Sequence, residues 1–151
     1  MAAILVLYHS QEHGNTGAMA DAIAEGVRDS GADATLVNTN DQRMDPAEYA
    51  AFDAAACGSP DYYSYIAGGL KMFLDDWHIA RGSGIEGLTD KPYGLFYSHG
   101  GGGRVVEPLE KLFARLGTQV GQTIESCGKP DEKALAACRE LGKQLAEATG
   151  N

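Results

Sequence analysis

The stretch Ile4-Leu5-Val6-Leu7-Tyr8, running through His9 into Ser10-Gln11-Glu12-His13-Gly14-Asn15-Thr16, decides how this chain is read. The apolar run is short and bounded, as a strand covered on both faces should be, and a polar turn follows it with no linker. Past the turn, Met19, Ile23 and Val27, with Ala20 and Ala24 beside them, recur at helical spacing and form one apolar face. The N-terminus of a helix presents unpaired N–H groups and the positive end of the helix dipole, so this turn is built to hold a phosphate. Ser10, Asn15 and Thr16 add side-chain donors to it.

Working outward, the same order of strand, polar or Gly-rich turn and helix repeats along the chain, which predicts an α/β fold. Strands are expected at Ala3–Tyr8, Ala34–Asn38, Asp53–Cys57, Tyr93–Tyr97 and Gln119–Ile124. Ile66, Leu70, Phe73, Leu74 and Trp77 share one helical face, as do Val105, Leu109, Leu112, Phe113 and Leu116. A last helix carries Ala134, Cys138, Leu141 and Leu145, with Pro130 in its first turn and Asp131 and Glu132 behind it. Between Asp41 and Ala51, Pro46 opens a short helix.

With 151 residues, 44% of them hydrophobic, the chain is expected to form one globular domain over 1–151. No apolar stretch is long enough to span a bilayer, and the first apolar run reads as a strand rather than a signal. A net charge of −9 argues against binding to nucleic acid or to an anionic membrane. Cys57, Cys127 and Cys138 form an odd set without C-x-x-C spacing, which predicts neither disulfides nor zinc and fits a reducing, cytoplasmic setting.

Ligands of parallel sheets bind beyond the carboxyl ends of the strands, which gathers three turns into one place. Beside Ser10–Thr16 stands Gly58-Ser59-Pro60-Asp61-Tyr62-Tyr63-Ser64-Tyr65, whose tyrosines either stack on a planar ligand or fold back over the sheet end. The third turn, Ser98-His99-Gly100-Gly101-Gly102-Gly103-Arg104, lets the backbone come close to a ligand because no Cβ intervenes. A phosphate site, an aromatic wall and a glycine wall describe a pocket for a phosphorylated planar heterocycle.

On these residues, with Gly69–Asp75 in the following helix, the chain resembles the flavodoxin-like superfamily over nearly its whole length. Gly14-Asn15-Thr16 looks like flavodoxin. Gly58-Ser59-Pro60 and the glycine run look more like the flavodoxin-like quinone reductases of the tryptophan-repressor-binding-protein type, although the compact length leaves little room for that group's extra segment. The resemblance implies a doubly wound five-stranded parallel sheet in the order 2-1-3-4-5, helices on both faces, and non-covalent flavin mononucleotide (FMN). Carried over by position, Ser10, His13, Gly14, Asn15 and Thr16 hold the phosphate. Ser59, Pro60, Asp61, Tyr62 and Tyr65 surround the ring, completed by Ser98, His99, Gly100, Gly101, Gly102 and Gly103. Glu12, where flavodoxins carry a hydroxyl residue, is expected to point to solvent, since a carboxylate would repel a phosphate.

His13 either donates to the phosphate or sits on the rim, and His99 either approaches the ring's pyrimidine edge or faces solvent. His9 and His78 read as structural or surface residues, Trp77 and Cys57 as core, Asp75 and Asp76 as solvated charges. Arg104 either meets a nicotinamide nucleotide's phosphate or merely opens a helix. The leading functional reading is an electron carrier whose acidic surface steers basic redox partner proteins. The alternative is an enzyme passing hydride from NAD(P)H through the flavin to a quinone. Many flavodoxins carry a glycine where a peptide flips to the reduced flavin; none lies between Ser59 and Ala67, which implies weak stabilisation of the singly reduced form. A flavin-free regulatory module is disfavoured, because Glu12 with Asp61 is a poor acidic cluster.

Overall fold

A computed structural model describes residues 1–150 of the chain. Its centre is β1 (Ala3–Tyr8), in which Ile4, Leu5, Val6 and Leu7 are fully buried. The run is continuously apolar because both faces of the strand are covered: Leu5 and Leu7 enter one core, Ile4 and Val6 the other. Burying each of these side chains contributes roughly 2 kcal/mol. β2 (Asp33–Asn38) and β3 (Ala54–Pro60) flank β1, and β4 (Lys91–His99) lies beyond β3, all parallel.

The next lane is divided. β5 (Gly117–Gln119) pairs with Lys91–Tyr93, and β6 (Ile124–Cys127) pairs with Phe96–His99, so the order is β2-β1-β3-β4-β5 with β6 also on β4. The expected order stands, but the sheet has six strands rather than five, and Gln119–Ile124 is largely the gap between two of them. Gly121, with φ +67°, turns the chain out of the sheet there. Thr123 holds it out, accepting from Gln119 Nε2 at 2.9 Å and donating to Glu110 at 2.6 Å.

Helices cover both faces. α1 (Asn15–Asp29) lies with α5 (Glu132–Ala148) on the core of Ile4, Val6 and Phe96. α2 (Pro46–Tyr49), α3 (Gly68–Gly82) and α4 (Val106–Phe113), with a 3₁₀ turn at Ala114–Leu116, cover the core of Leu5, Leu95 and Trp77. Pro46 opens its short helix as expected, behind the Asp45 cap. Pro130 does not lie in the first turn of α5; Asp131 takes the cap by accepting the Ala134 N–H at 2.8 Å, which leaves the proline outside. α1 and α5 meet at Gly26 and Gly142, each facing the backbone of the other helix with no room for a Cβ.

Trp77 is core, its indole N–H donating to Leu88 O at 2.9 Å, and Cys57 is fully buried with its thiol pushed up by burial. At the amino ends of the strands, the buried Lys91 ammonium donates to the carbonyls of Tyr49, Ala50 and Phe52 at 2.6–3.1 Å and lies 4.5 Å over the Tyr49 ring. It thereby serves carbonyls at and just beyond the end of α2, of which the Tyr49 one also accepts the Phe52 N–H at 3.1 Å.

Candidate functional site

At the carboxyl ends of β1, β3 and β4 the three loops enclose a cleft of about 530 Å³, a size suited to a small-molecule ligand. A hollow of about 570 Å³ between α3 and α4 is slightly larger, but side chains such as Lys71, Asp75 and Arg115 line it and no loop backbone converges there. The cleft at the strand ends is therefore the candidate site.

Its first wall is Ser10–Thr16. Gly14, with φ +77°, turns the chain into α1, and no side chain caps the helix, so the first-turn N–H groups are left to face the cleft. The loop is fixed from β2: Asn38 accepts the Ser10 N–H at 3.0 Å and donates to Ser10 O at 2.9 Å. His9 is buried between Thr39 Oγ1 at 2.8 Å and Gln11 Oε1 at 2.9 Å, a structural role as expected. With Gln11 Oε1 as acceptor, Nε2 carries the proton and the Thr39 hydroxyl donates to Nδ1. Glu12 is exposed, as its charge requires, and pairs with the exposed His13 at 3.0 Å. Thr16 Oγ1 and Ser98 Oγ, buried 2.8 Å apart, join the first wall to the third.

In the second wall Pro60, Asp61 and Tyr62 line the cleft. Ser59 and Tyr65, expected around a ring, do not. Ser59 lies beneath, fully buried, its hydroxyl accepting the Ala67 N–H at 3.0 Å and donating to Pro60 O at 2.7 Å. Tyr62 and Tyr65 exchange backbone hydrogen bonds at 3.1 and 3.2 Å around Tyr63 and Ser64, whose φ values of 58° and 62° are those of a type I′ turn. Tyr63 therefore projects fully into solvent, and Tyr65 is partly exposed on the outside of the turn. Asp61 stitches the loops together, accepting from the Ser64 N–H at 2.8 Å and the Val105 N–H at 3.3 Å. Burial and the charge of Glu12 push the Tyr62 phenol up, so it stays a neutral donor at neutral pH.

From the third wall, Ser98, His99 and Gly100 line the cleft, whereas Gly101, Gly102 and Gly103 do not. His99 does not face solvent: its side chain is 7% exposed, stacked on Tyr97 with ring centres 5.9 Å apart. Arg104 is exposed just ahead of α4. Gln11, read only as part of the first turn, also lines the cleft, as do Gly128 and Lys129, which escaped the sequence reading. The last two arrive because β6 brings its end beside His99, with Gly128 N–H donating to His99 O at 2.7 Å. Only the correct division of the edge lane would have signalled them.

An uncapped helix N-terminus at one end, Tyr62 and Gly100 at the other, and hydroxyl and backbone donors between fit an anionic phosphate joined to a flat polar ring. Among the described residues no cluster of His, Cys, Asp and Glu is arranged to hold a metal, and no helix is long and apolar enough to cross a membrane.

A family model described as flavodoxin matches residues 6–142. An NAD(P)H dehydrogenase (quinone) of Brucella anthropi is 28% identical, covering 99% of this chain and 98% of its own length. That alignment needs 197 positions against a chain of 151, so stretches of the relative have no counterpart here. A coenzyme F420H(2) oxidase of Methanothermobacter thermautotrophicus is 30% identical over 95% of this chain, which spans only 35% of that protein. Among solved structures, a flavodoxin from the domain Archaea superposes with a TM-score of 0.80 at 23% identity, covering 99% of both chains.

Proposed function

Because the chain belongs to the flavodoxin family, whose cofactor is flavin mononucleotide, we propose that it binds this flavin in the cleft and carries electrons between protein partners. The observation that carries this reading is the cleft, which joins an uncapped helix start to an aromatic wall ending on an exposed turn. Bound there, the flavin supplies reversible acceptance of electrons.

The chain's own residues do the holding. The first-turn N–H groups of α1, with Ser10, Asn15 and Thr16, bind the phosphate, and the helix dipole offsets its charge without a lysine. The Thr16–Ser98 hydrogen bond fixes the spacing between the phosphate end and the ring end. Tyr62 covers the ring, and Asp61 keeps the second and third loops in register. Carboxylates at the rim, among them Glu12 and Asp61, and a net charge of −9 draw basic partners and lower the tendency of the ring to accept negative charge.

The quinone-reductase reading is supported by the Brucella relative, which this chain matches from end to end. Against it stand the stretches of that relative missing here. Anaerobic stopped-flow mixing of the flavin-loaded protein with NADH and NADPH separates the two. Slow or absent bleaching, with fast reduction through a partner reductase, is the expected result. Fast bleaching followed by quinone-dependent turnover refutes the carrier reading.

A further inference from the structure

The first three glycines of the third loop have little to hold them, whereas Gly103 is buried and a Cβ there would meet His99 Nε2 at 3.1 Å and Glu125 Oε2 at 3.2 Å. A Cβ built on Gly100, Gly101 or Gly102 meets no atom within 4 Å beyond its own chain neighbours. One side chain does reach these three: His99 Nδ1 accepts the Gly101 N–H at 3.1 Å. An accepting Nδ1 requires the imidazole proton to sit on Nε2. That atom is buried and makes no hydrogen bond; it lies 3.2 Å from Glu125 Oε2, off the N–H axis. The same carboxylate oxygen accepts the Tyr97 hydroxyl at 2.6 Å.

We propose that His99 is a proton-controlled clasp on the glycine loop of the cofactor site, with Glu125 as the residue that positions it. With one proton, His99 pins Gly101. A second proton must go to Nδ1; both nitrogens then donate, the Gly101 N–H loses its acceptor, and the loop is released. Glu125, half exposed on β6, is the counter-charge beside the imidazolium. The other groups in the neighbourhood are Tyr97 on β4, Cys127 across the ladder from His99, and Lys129 at the same cleft. Asp61 of the second loop and Glu110 of α4 also act on Tyr97, against which His99 is stacked.

This rests on the flavin mononucleotide reading for its purpose: negative charge placed in the cleft draws the second proton and frees Gly101, which lies outside the cleft lining while the clasp is closed, to bring its N–H to the ligand. The clasp itself is tested without flavin. Long-range proton–nitrogen spectra of the apoprotein follow the imidazoles from about pH 5 to about pH 9, alongside hydrogen exchange at the Gly100, Gly101 and Gly102 amides. The expected result is an Nε2–H tautomer at high pH, with Gly101 exchange, relative to its neighbours, rising about tenfold along the His99 titration. Glu125→Gln, which removes the counter-charge, should shift the rise in Gly101 exchange to lower pH. In His99→Gln, whose amide does not titrate, the pH dependence at Gly101 should vanish. Flat Gly101 exchange across the His99 titration, or an Nδ1–H tautomer at high pH, overturns the clasp. Fluorescence titration with FMN at about pH 6 and about pH 8 then tests the coupling. Wild-type affinity should gain several-fold more at the lower pH than that of His99→Gln, and equal gains overturn the coupling. If FMN fails to bind the wild type, the functional reading falls, and the apoprotein measurement alone decides the clasp.

Discussion

Replacing Gly142 with alanine tests how the packing of α1 against α5 supports the site. A methyl at Gly142 would stand 2.8 Å from Val27 N and closer still to the Ile23 carbonyl oxygen, inside the 3.0 Å that real Cβ atoms respect. Both atoms are backbone of α1, so no side chain can swing aside and the helices must part by about 1 Å. Forced overpacking costs roughly 3 kcal/mol, while alanine returns about 1 kcal/mol of helix propensity, so a net loss of about 2 kcal/mol is expected. For a chain of this size that lowers Tm by about 4–8 °C. Because α1 also presents its N-terminus to the cleft, FMN affinity, read by quenching of flavin fluorescence, should fall several-fold in the same variant. Gly68→Ala is the control: at the start of α3 its Cβ meets nothing within 4 Å, and stability should stay within about 0.5 kcal/mol of wild type. If Gly142→Ala unfolds at the wild-type denaturant midpoint, the close-approach argument is wrong.

Ser59→Ala removes the buried acceptor of the Ala67 N–H; urea unfolding should show a loss of about 1–2 kcal/mol, and FMN affinity should drop although this side chain does not line the cleft. Burial holds the Lys91 ammonium down at about 8, against 10.5 for its ordinary value, so between these pH values the unfolded chain binds more protons and stability rises with pH. The full rise is about 3 kcal/mol, of which about 2 kcal/mol falls below about pH 9.5, where the measurement stops to stay below tyrosine titration. Lys91→Met should abolish it, and a wild-type curve that is flat or falling over that window contradicts the assignment. Spectroscopic redox titration of the flavin-loaded protein should show little of the singly reduced form, since the second loop turns through Tyr63 and Ser64 rather than a glycine; abundant accumulation would refute this.

The fold was legible wherever burial alone dictates the pattern. Ile4 to Leu7 are apolar without interruption because both faces are covered, and the spacing of Leu70, Phe73, Leu74 and Trp77 is that of one buried helix face. The divided edge lane was not legible, because Gln119 to Ile124 carries β-branched and apolar residues whose pairing is decided by Gly121 and by Thr123 reaching Glu110. Within the cleft the three loops were legible from their position after strands. What each side chain does there was not: Ser59 turns inward to a backbone N–H, and Tyr65 closes a turn on the outside. Asn38 and Thr39, which fix the first loop, sit at the end of a different strand and carry no local signal.

The division between β5 and β6 also bears on how copies of this chain meet. A sheet edge with a continuous row of free N–H and C=O groups is a template for another strand, and a long flat edge invites aggregation. Here that edge offers one three-residue piece and one four-residue piece, separated by a segment that leaves the sheet. No incoming strand can run in register along both. The same break that carries Gly128 and Lys129 to the cleft thus guards this edge of the sheet, though not the continuous β2 edge opposite it, against edge-to-edge association.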